Sequence, residues 1–293
     1  MEYQNVLNEE VFLPSRGIIY PKEFNVPKSV VICPFKTRDL KGLFGANSES
    51  AVNSLIRNCI VSEFNIDCKE LHVEDRTAIF TRIRAITLGP VYKTKRECTN
   101  CKKAFDVEWD MNNIECSYLD LDEYPIPITL PESGKTVLVG VILPKDAREI
   151  NEIIEKRKQQ NPDIDEDGEM EFLYYAAAIK IIDSVIPALQ SKLEFILDCS
   201  PEDYLYLQFV TNGISFGIDN KKIVKCPFCK TEHLSVFSPT EQFFRRSHEL
   251  PTGIRVSKGI LGCDPTKTVW TGLLRTYRWY WWYVSFWIRL ILQ

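Results

Sequence analysis

The sequence is poor in the residues and runs on which many activities depend. It has three histidines, His72, His233 and His248, and none stands in a pattern with a nucleophile. There is no Gly-x-Ser-x-Gly elbow, so acyl-transfer chemistry has no support and no enzyme is expected. A basic excess is missing too: 36 Lys and Arg stand against 40 Asp and Glu, a net charge of −4, which removes the global field that draws a protein to duplex nucleic acid. The opening residues, MEYQNVLNEEVFLPS, lack a basic and then an apolar stretch, and predict no cleaved secretory signal. Long uncharged runs are absent as well. The ten residues of WYWWYVSFWI lie between Arg278 and Arg289, against about 20 for a membrane span.

Two strings imitate known sites and fall short. ESGKT (132–136) ends like a phosphate-binding loop, but the required glycine five residues before Gly134 is Thr129, and no helix follows. It reads as a hairpin turn. DIDEDG (163–168) opens like a calcium loop, yet the twelfth position, which must give a bidentate carboxylate, is Tyr174. A solvated acidic loop is the expectation.

What is present is an ordinary globular composition, 45% hydrophobic and 26% charged, long enough for one or two cored domains. The class expected is α+β, with short antiparallel strands. FLPSRGIIYP (12–21) carries two prolines and a glycine and reads as an extended docking segment, or as a loop covering its own domain. KSVVICPF is a strand candidate, and helices are expected at 37–45 and 48–60. Asp75 is placed to cap RTAIFTRIRAITL, which Gly89-Pro90 stops. Strands follow in 91–143. Then come a charged helix at 146–160, an acidic loop at 161–169, an apolar helix in MEFLYYAAAIKIIDSVI, a helix capped by Ser200 in SPEDYLYLQFVTNGI, and a short helix in SPTEQFFRR. No internal repeat is visible. The organisation expected is an N-terminal segment 1–35, a helical part 36–95, a knuckle domain 96–246 with a helical subdomain inserted at about 144–213, and an aromatic tail 247–293.

Ten cysteines without an export signal point to a reducing compartment, where thiols serve as metal ligands or core residues. ECTNCKKAF and KCPFCKTEH place Cys98, Cys101, Cys226 and Cys229 in two matching Cys-x-x-Cys pairs, each followed by Lys. Two such knuckles complete a closed tetrahedral shell for a structural Zn²⁺, with Lys102, Lys103, Lys225 and Lys230 near enough to offset its charge. The 124 residues between the pairs (102–225) must then form an inserted unit. Redox chemistry at Cys226 and Cys229 needs a helix after the first Cys, and the residues that follow are poor helix formers. Cys116, His233 or His248 remain possible members of a different tetrad. Cys33, Cys59, Cys68, Cys199 and Cys263 read as core residues.

The tail holds nine Trp, Tyr and Phe residues between Trp270 and Leu292, including Trp279, Trp281 and Trp287. That much aromatic surface suits a partner-binding helix over 270–292, with interfacial membrane contact or packing on its own domain as rivals. Trp279 and Trp281 interleaved with Arg275 and Arg278 would also suit single-stranded nucleic acid, the second functional reading.

The order LPSRGIIYP, DRTAIFTRIRAITLGPVY, CTNC, ITLPESGKTV, SPEDYLYLQFVTNGI, CPFC and EQFFRR resembles the baseplate hub and tail-assembly proteins of T-even-like contractile-tailed bacteriophages, over about residues 12–246. The resemblance implies a structural protein or assembly factor of the tail baseplate, without catalytic residues. It implies other hub and tail proteins as partners, assembly as an oligomer in the host cytoplasm, and a place in the virion. Only Cys98, Cys101, Cys226 and Cys229 carry over, as metal ligands. The tail from about 247 departs from the pattern, and the acidic loop at 161–169 looks like an insertion.

Overall fold

A computed structural model describes residues 8–39, 48–63, 65–237 and 243. Among these lie six α-helices and eleven short strands, and every strand pair is antiparallel, so the expected α+β class holds. The apolar core falls into two clusters.

The first cluster gathers residues between Val11 and Val141 with Cys226, Phe237 and Phe243. Strands β1 (Glu9–Phe12) and β2 (Ser29–Ile32) pair, and helices α1 (Ser48–Cys59) and α2 (Val73–Leu88) pack beside them. The helix expected at 37–45 is a 3-10 turn at Thr37–Asp39; the remainder of that stretch lies outside the described residues. Asp75 is not the cap of α2. His72 is, its Nδ1 accepting from the Glu74 N–H. Asp75 sits one turn in, fully buried, and accepts from the Ser15 N–H, the Ser15 hydroxyl and the Tyr20 hydroxyl at 2.9, 2.6 and 2.6 Å. A carboxylate buried at the positive end of a helix needs several donors, and the SRGIIY turn supplies them. Gly17, at φ 74°, lies where a Cβ would come within 2.4 Å of the Val26 carbonyl, so the turn requires glycine. With Leu13, Ile19 and Tyr20 buried as well, the segment lines its own domain.

The second cluster is built from β6 (Ile126–Thr129), β7 (Thr136–Val139) and four helices: α3 (Pro144–Gln160), α4 (Glu166–Ala178), α5 (Leu189–Leu197) and α6 (Pro201–Gly213). ESGKT is the turn between β6 and β7. The buried carboxylate of Asp203 in α6 accepts from its Glu132 and Ser133 N–H groups. MEFLYYAAAIKIIDSVI is not one helix. It ends at Ala178, and IKII forms β8 (Ile179–Ile182) against β7, because branched side chains suit a strand where a free edge is offered. The acidic stretch is partly helical: Asp165 caps α4, and Glu166 and Glu169 of its first turn pair with Lys158 and Arg157. Ser200 caps α6 as the sequence predicts, its hydroxyl accepting from the Asp203 N–H at 3.2 Å.

Candidate metal centre

Two hairpins face each other across the end of the first cluster. One pairs β3 (Val91–Glu97) with β4 (Ala104–Asp110); the other pairs β10 (Lys221–Lys225) with β11 (Glu232–Val236). Each closes over a loop, 98–103 or 226–231, and the loops are built alike. Cys98 N–H donates to the Lys103 carbonyl and Lys102 N–H to the Cys98 carbonyl. Cys226 N–H and Lys230 N–H repeat both bonds onto Thr231 and Cys226. Lys102 and Lys230 occupy the left-handed region at φ 57° and 62°, which turns the chain back sharply enough to aim both sulfurs inward.

The four sulfurs meet. Cys98 Sγ lies 3.5 Å from Cys229 Sγ and Cys101 Sγ 3.7 Å from Cys226 Sγ, with all four within 4.8 Å of one another. Cys98 and Cys226 are fully buried and the second cysteine of each pair is half-buried. This group could hold a metal ion. The thiols share their protons unequally. Hydrogen bonds from the Thr231 hydroxyl and N–H pull Cys229 down to about 5. The Lys103 N–H also pulls on Cys101, but burial and the neighbouring sulfurs push it up to about 11. Close thiols with no cation between them cannot all ionise together.

One neighbour of the cluster was weighed in the sequence only as a substitute ligand. His233 is buried, its Nε2 is 3.2 Å from Cys98 Sγ, and its ring lies beside Phe105. It touches the sulfur but lies outside the group of four. Cys116 is elsewhere, on β5 (Cys116–Ser117), which pairs with β9 (Gly217–Ile218); its thiol bonds the Ser117 carbonyl. The hairpin β11 follows Cys229 directly, so the helix that a redox pair needs is absent there. Cys59 and Cys68 are buried as core residues, and Cys33 and Cys199 are half-buried.

The matched loops extend into a likeness of the two hairpins that the sequence hides. Setting 91–109 over 219–237 leaves identities at Lys93 with Lys221, the two cysteines, and Lys102 with Lys230. The inward positions nevertheless correspond: Phe105 with His233, Val107 with Ser235, Trp109 with Phe237. Bonds cross between the halves, from Arg96 to the Leu234 carbonyl at 2.6 Å and from the Asn100 amide to the Thr231 hydroxyl at 3.2 Å. Lys222 donates to the Glu108 carbonyl and lies over the Trp109 ring.

His248, Cys263, the SPTEQFFRR stretch apart from Phe243, and the 247–293 tail with its aromatic segment 270–292 lie outside the described residues. Among the described residues no helix is long and apolar enough to cross a membrane.

The family model for the T4 bacteriophage base plate protein matches residues 19–245, a span that takes in both hairpins, the second core cluster and all of the first but Val11 and Leu13. Neither a curated protein nor a solved structure matches the chain. The match covers well over half of the sequence, and the chain belongs to the T4 baseplate protein family.

Proposed function

We propose that this baseplate protein is a non-catalytic component or assembly factor of the tail hub, and that one Zn²⁺ held by Cys98, Cys101, Cys226 and Cys229 fixes its two hairpins together. The family match over 19–245 carries the baseplate role, and the meeting of four sulfurs supports the metal. Zn–S bonds of about 2.3 Å in a tetrahedron put sulfurs about 3.8 Å apart, and the sulfur contacts of 3.5 and 3.7 Å fit that spacing. An all-thiolate set favours zinc over harder divalent cations. Four thiolates on Zn²⁺ leave about two negative charges, against which Lys102, Lys103 and Lys230 stand in the loops themselves.

Bound there, zinc supplies a cross-link and no reaction, because four protein ligands leave no open position. The cross-link closes a loop of more than a hundred residues, which on the chain-entropy scale used for disulfides removes roughly 5 kcal/mol of unfolded-state freedom. Its partners would be other hub and tail proteins. It would assemble with them in the host cytoplasm and remain in the tail.

Plasma emission analysis of the purified protein, wild type and Cys226→Ser, tests the metal. About one zinc per wild-type chain, lost with its thermal stability in the variant, is expected. A metal-free wild type, or a variant that keeps its zinc, ends this part of the reading. Mass spectrometry of purified phage particles tests retention in the tail.

A further inference from the structure

A crevice lies apart from the cysteine cluster, and no cysteine lines it. It has a volume of about 470 Å³ and opens where α1, the segment before α2, and the start of α3 come together, at the junction of the two core clusters. Four cations line it: Arg57, Lys69, Arg76 and Arg148. Two carboxylates, Asp67 and Glu70, are also there, so four positive charges less two negative leaves two positive, in a chain whose net charge is −4. His72 adds no charge, since burial and then the Arg76 charge push it down to about 4.

The carboxylates do not neutralise the crevice evenly. Glu70 is taken by Arg148, whose terminal nitrogen bonds both oxygens at 2.7 and 2.6 Å. Asp67 stands 3.7 Å from Lys69, a loose exposed pair worth little. Arg57 has no hydrogen bond or ion pair among the described residues. The starts of α2 and α3 both line the same space, but their first turns carry Glu74, Asp75 and Asp146, so the open charge of the crevice is that of its cationic side chains. Leu143, at the cap of α3, has no side-chain oxygen to offer the first-turn N–H groups. The remaining wall is apolar, with Val73, Ile142, Leu143 and Ala147.

We infer that this crevice is a docking site for an acidic peptide segment of a neighbouring baseplate subunit. Its carboxylates would meet Arg57 and Lys69, while its aliphatic stems lie on Val73 and Leu143. The fixed carboxylates at Asp67 and Glu70 disfavour a phosphate backbone, which carries charge at every step, and the volume exceeds what one small anion fills. The identity of the occupant rests on the baseplate reading; the chemistry of the crevice does not.

The test uses the full-length, zinc-loaded protein and a fluorescein-labelled hexaglutamate peptide, read by anisotropy. Arg57 and Lys69 are exposed, so an Arg57→Glu/Lys69→Glu variant should keep its fold, which an unchanged melting temperature and zinc content verify. The expected result is salt-sensitive binding that weakens at least about tenfold in the double variant, as for reversal of paired surface charges at an interface. Three results overturn the inference: no peptide binding by the wild type, equal binding by the folded variant, or displacement by inorganic phosphate as effective as by unlabelled peptide. None of them touches the zinc content, so failure here leaves the metal and baseplate proposals standing.

Discussion

The two hairpins share a loop, a register and a pair of cysteines each, and they differ in polarity. The first turns Tyr92, Phe105, Val107 and Trp109 inward and Lys93, Lys95, Asp106 and Glu108 outward, as a half-buried sheet does. The second turns Lys222, Val224, His233 and Ser235 inward, a mostly polar set. Its outer face carries Ile223, Leu234 and Val236, which are 68%, 56% and 47% exposed. Apolar burial therefore fastens the first hairpin to the core through Tyr92, Trp109 and their contacts with Phe237 and Phe243. The second has Phe237 and the half-buried Val224 for that purpose, and otherwise polar bonds and two sulfurs. A loop geometry can thus be repeated without repeating what holds it in place. The comparison predicts that the second hairpin depends on metal far more than the first does.

The largest effect should come from breaking the cluster. Cys226→Ser, or stripping metal from the wild type with a chelator, is expected to cost several kcal/mol and to expose the amides of 221–236 to hydrogen exchange while 91–97 and 104–110 stay protected. Equal loss in both hairpins would abolish the distinction drawn between them. Next in size is the apolar anchor of the first hairpin. Trp109→Ala removes a buried ring that touches Phe237 and carries Lys222, and should cost about 3–5 kcal/mol in chemical denaturation. Unlike the cysteine variant, it should retain its zinc.

How much of this was legible in the sequence follows from how local each signal is. The knuckles were legible, because four residues with fixed spacing and a trailing Lys declare themselves without reference to the rest of the chain. The likeness of the two hairpins was not, since Phe105 and His233 become equivalent only once the hairpins face each other. Asp75 was misassigned as a cap for a similar reason. Its donors lie in the SRGIIY turn, 60 and 55 positions away. Within its own helix it looks like any acidic residue of a first turn. IKII was read as the continuation of a helix because only the free edge of β7 makes it a strand.

A pH series sharpens the comparison at the root of the second hairpin. Glu74 lies against Gly217 in β9, where an added Cβ would collide with its carboxylate, and β9 leads directly into β10. Burial, and then the charge of Asp75, raise Glu74 from 4.5 to about 7. A carboxyl whose pKa is raised by folding holds its proton more firmly in the folded state. Its contribution is complete below about pH 4.5 and is lost as pH rises through about 7. Wild-type stability should fall by roughly 2–3 kcal/mol between pH 5 and 8, as the linkage relation gives for a shift of this size. Glu74→Gln should flatten that slope, and a slope unchanged in the variant would place the titration elsewhere. His233→Phe asks a smaller question. It keeps ring volume beside Phe105 and removes the nitrogen next to Cys98 Sγ. Zinc affinity measured against a competing chelator should fall about tenfold, the lower end for groups that support a ligand from outside the shell, with little change in the melting of the zinc-saturated protein. Unchanged affinity would leave His233 a packing residue.

The smallest effect concerns what the two halves have most in common. Lys102 and Lys230 both sit at positive φ, a region that costs a residue with a Cβ about 1 kcal/mol and costs glycine nothing. Glycine also gains freedom in the unfolded chain, which returns part of that relief. Lys102→Gly and Lys230→Gly should therefore each change stability by no more than about 0.5 kcal/mol in favour of the fold in the zinc-loaded protein. The two loops share the same bonds, so strain alone predicts equal gains. Their anchoring separates them in the metal-free state. Without zinc the first hairpin keeps its apolar anchor, so the Lys102 loop remains folded and its strain is still there to be relieved. The second hairpin opens, and the Lys230 substitution then has no folded loop to act on. Melting of the two variants with and without chelator reads this directly: the Lys102→Gly gain should survive chelation and the Lys230→Gly gain should vanish. If both gains survive, the second hairpin stands without metal, and its mostly polar inner face has a different support.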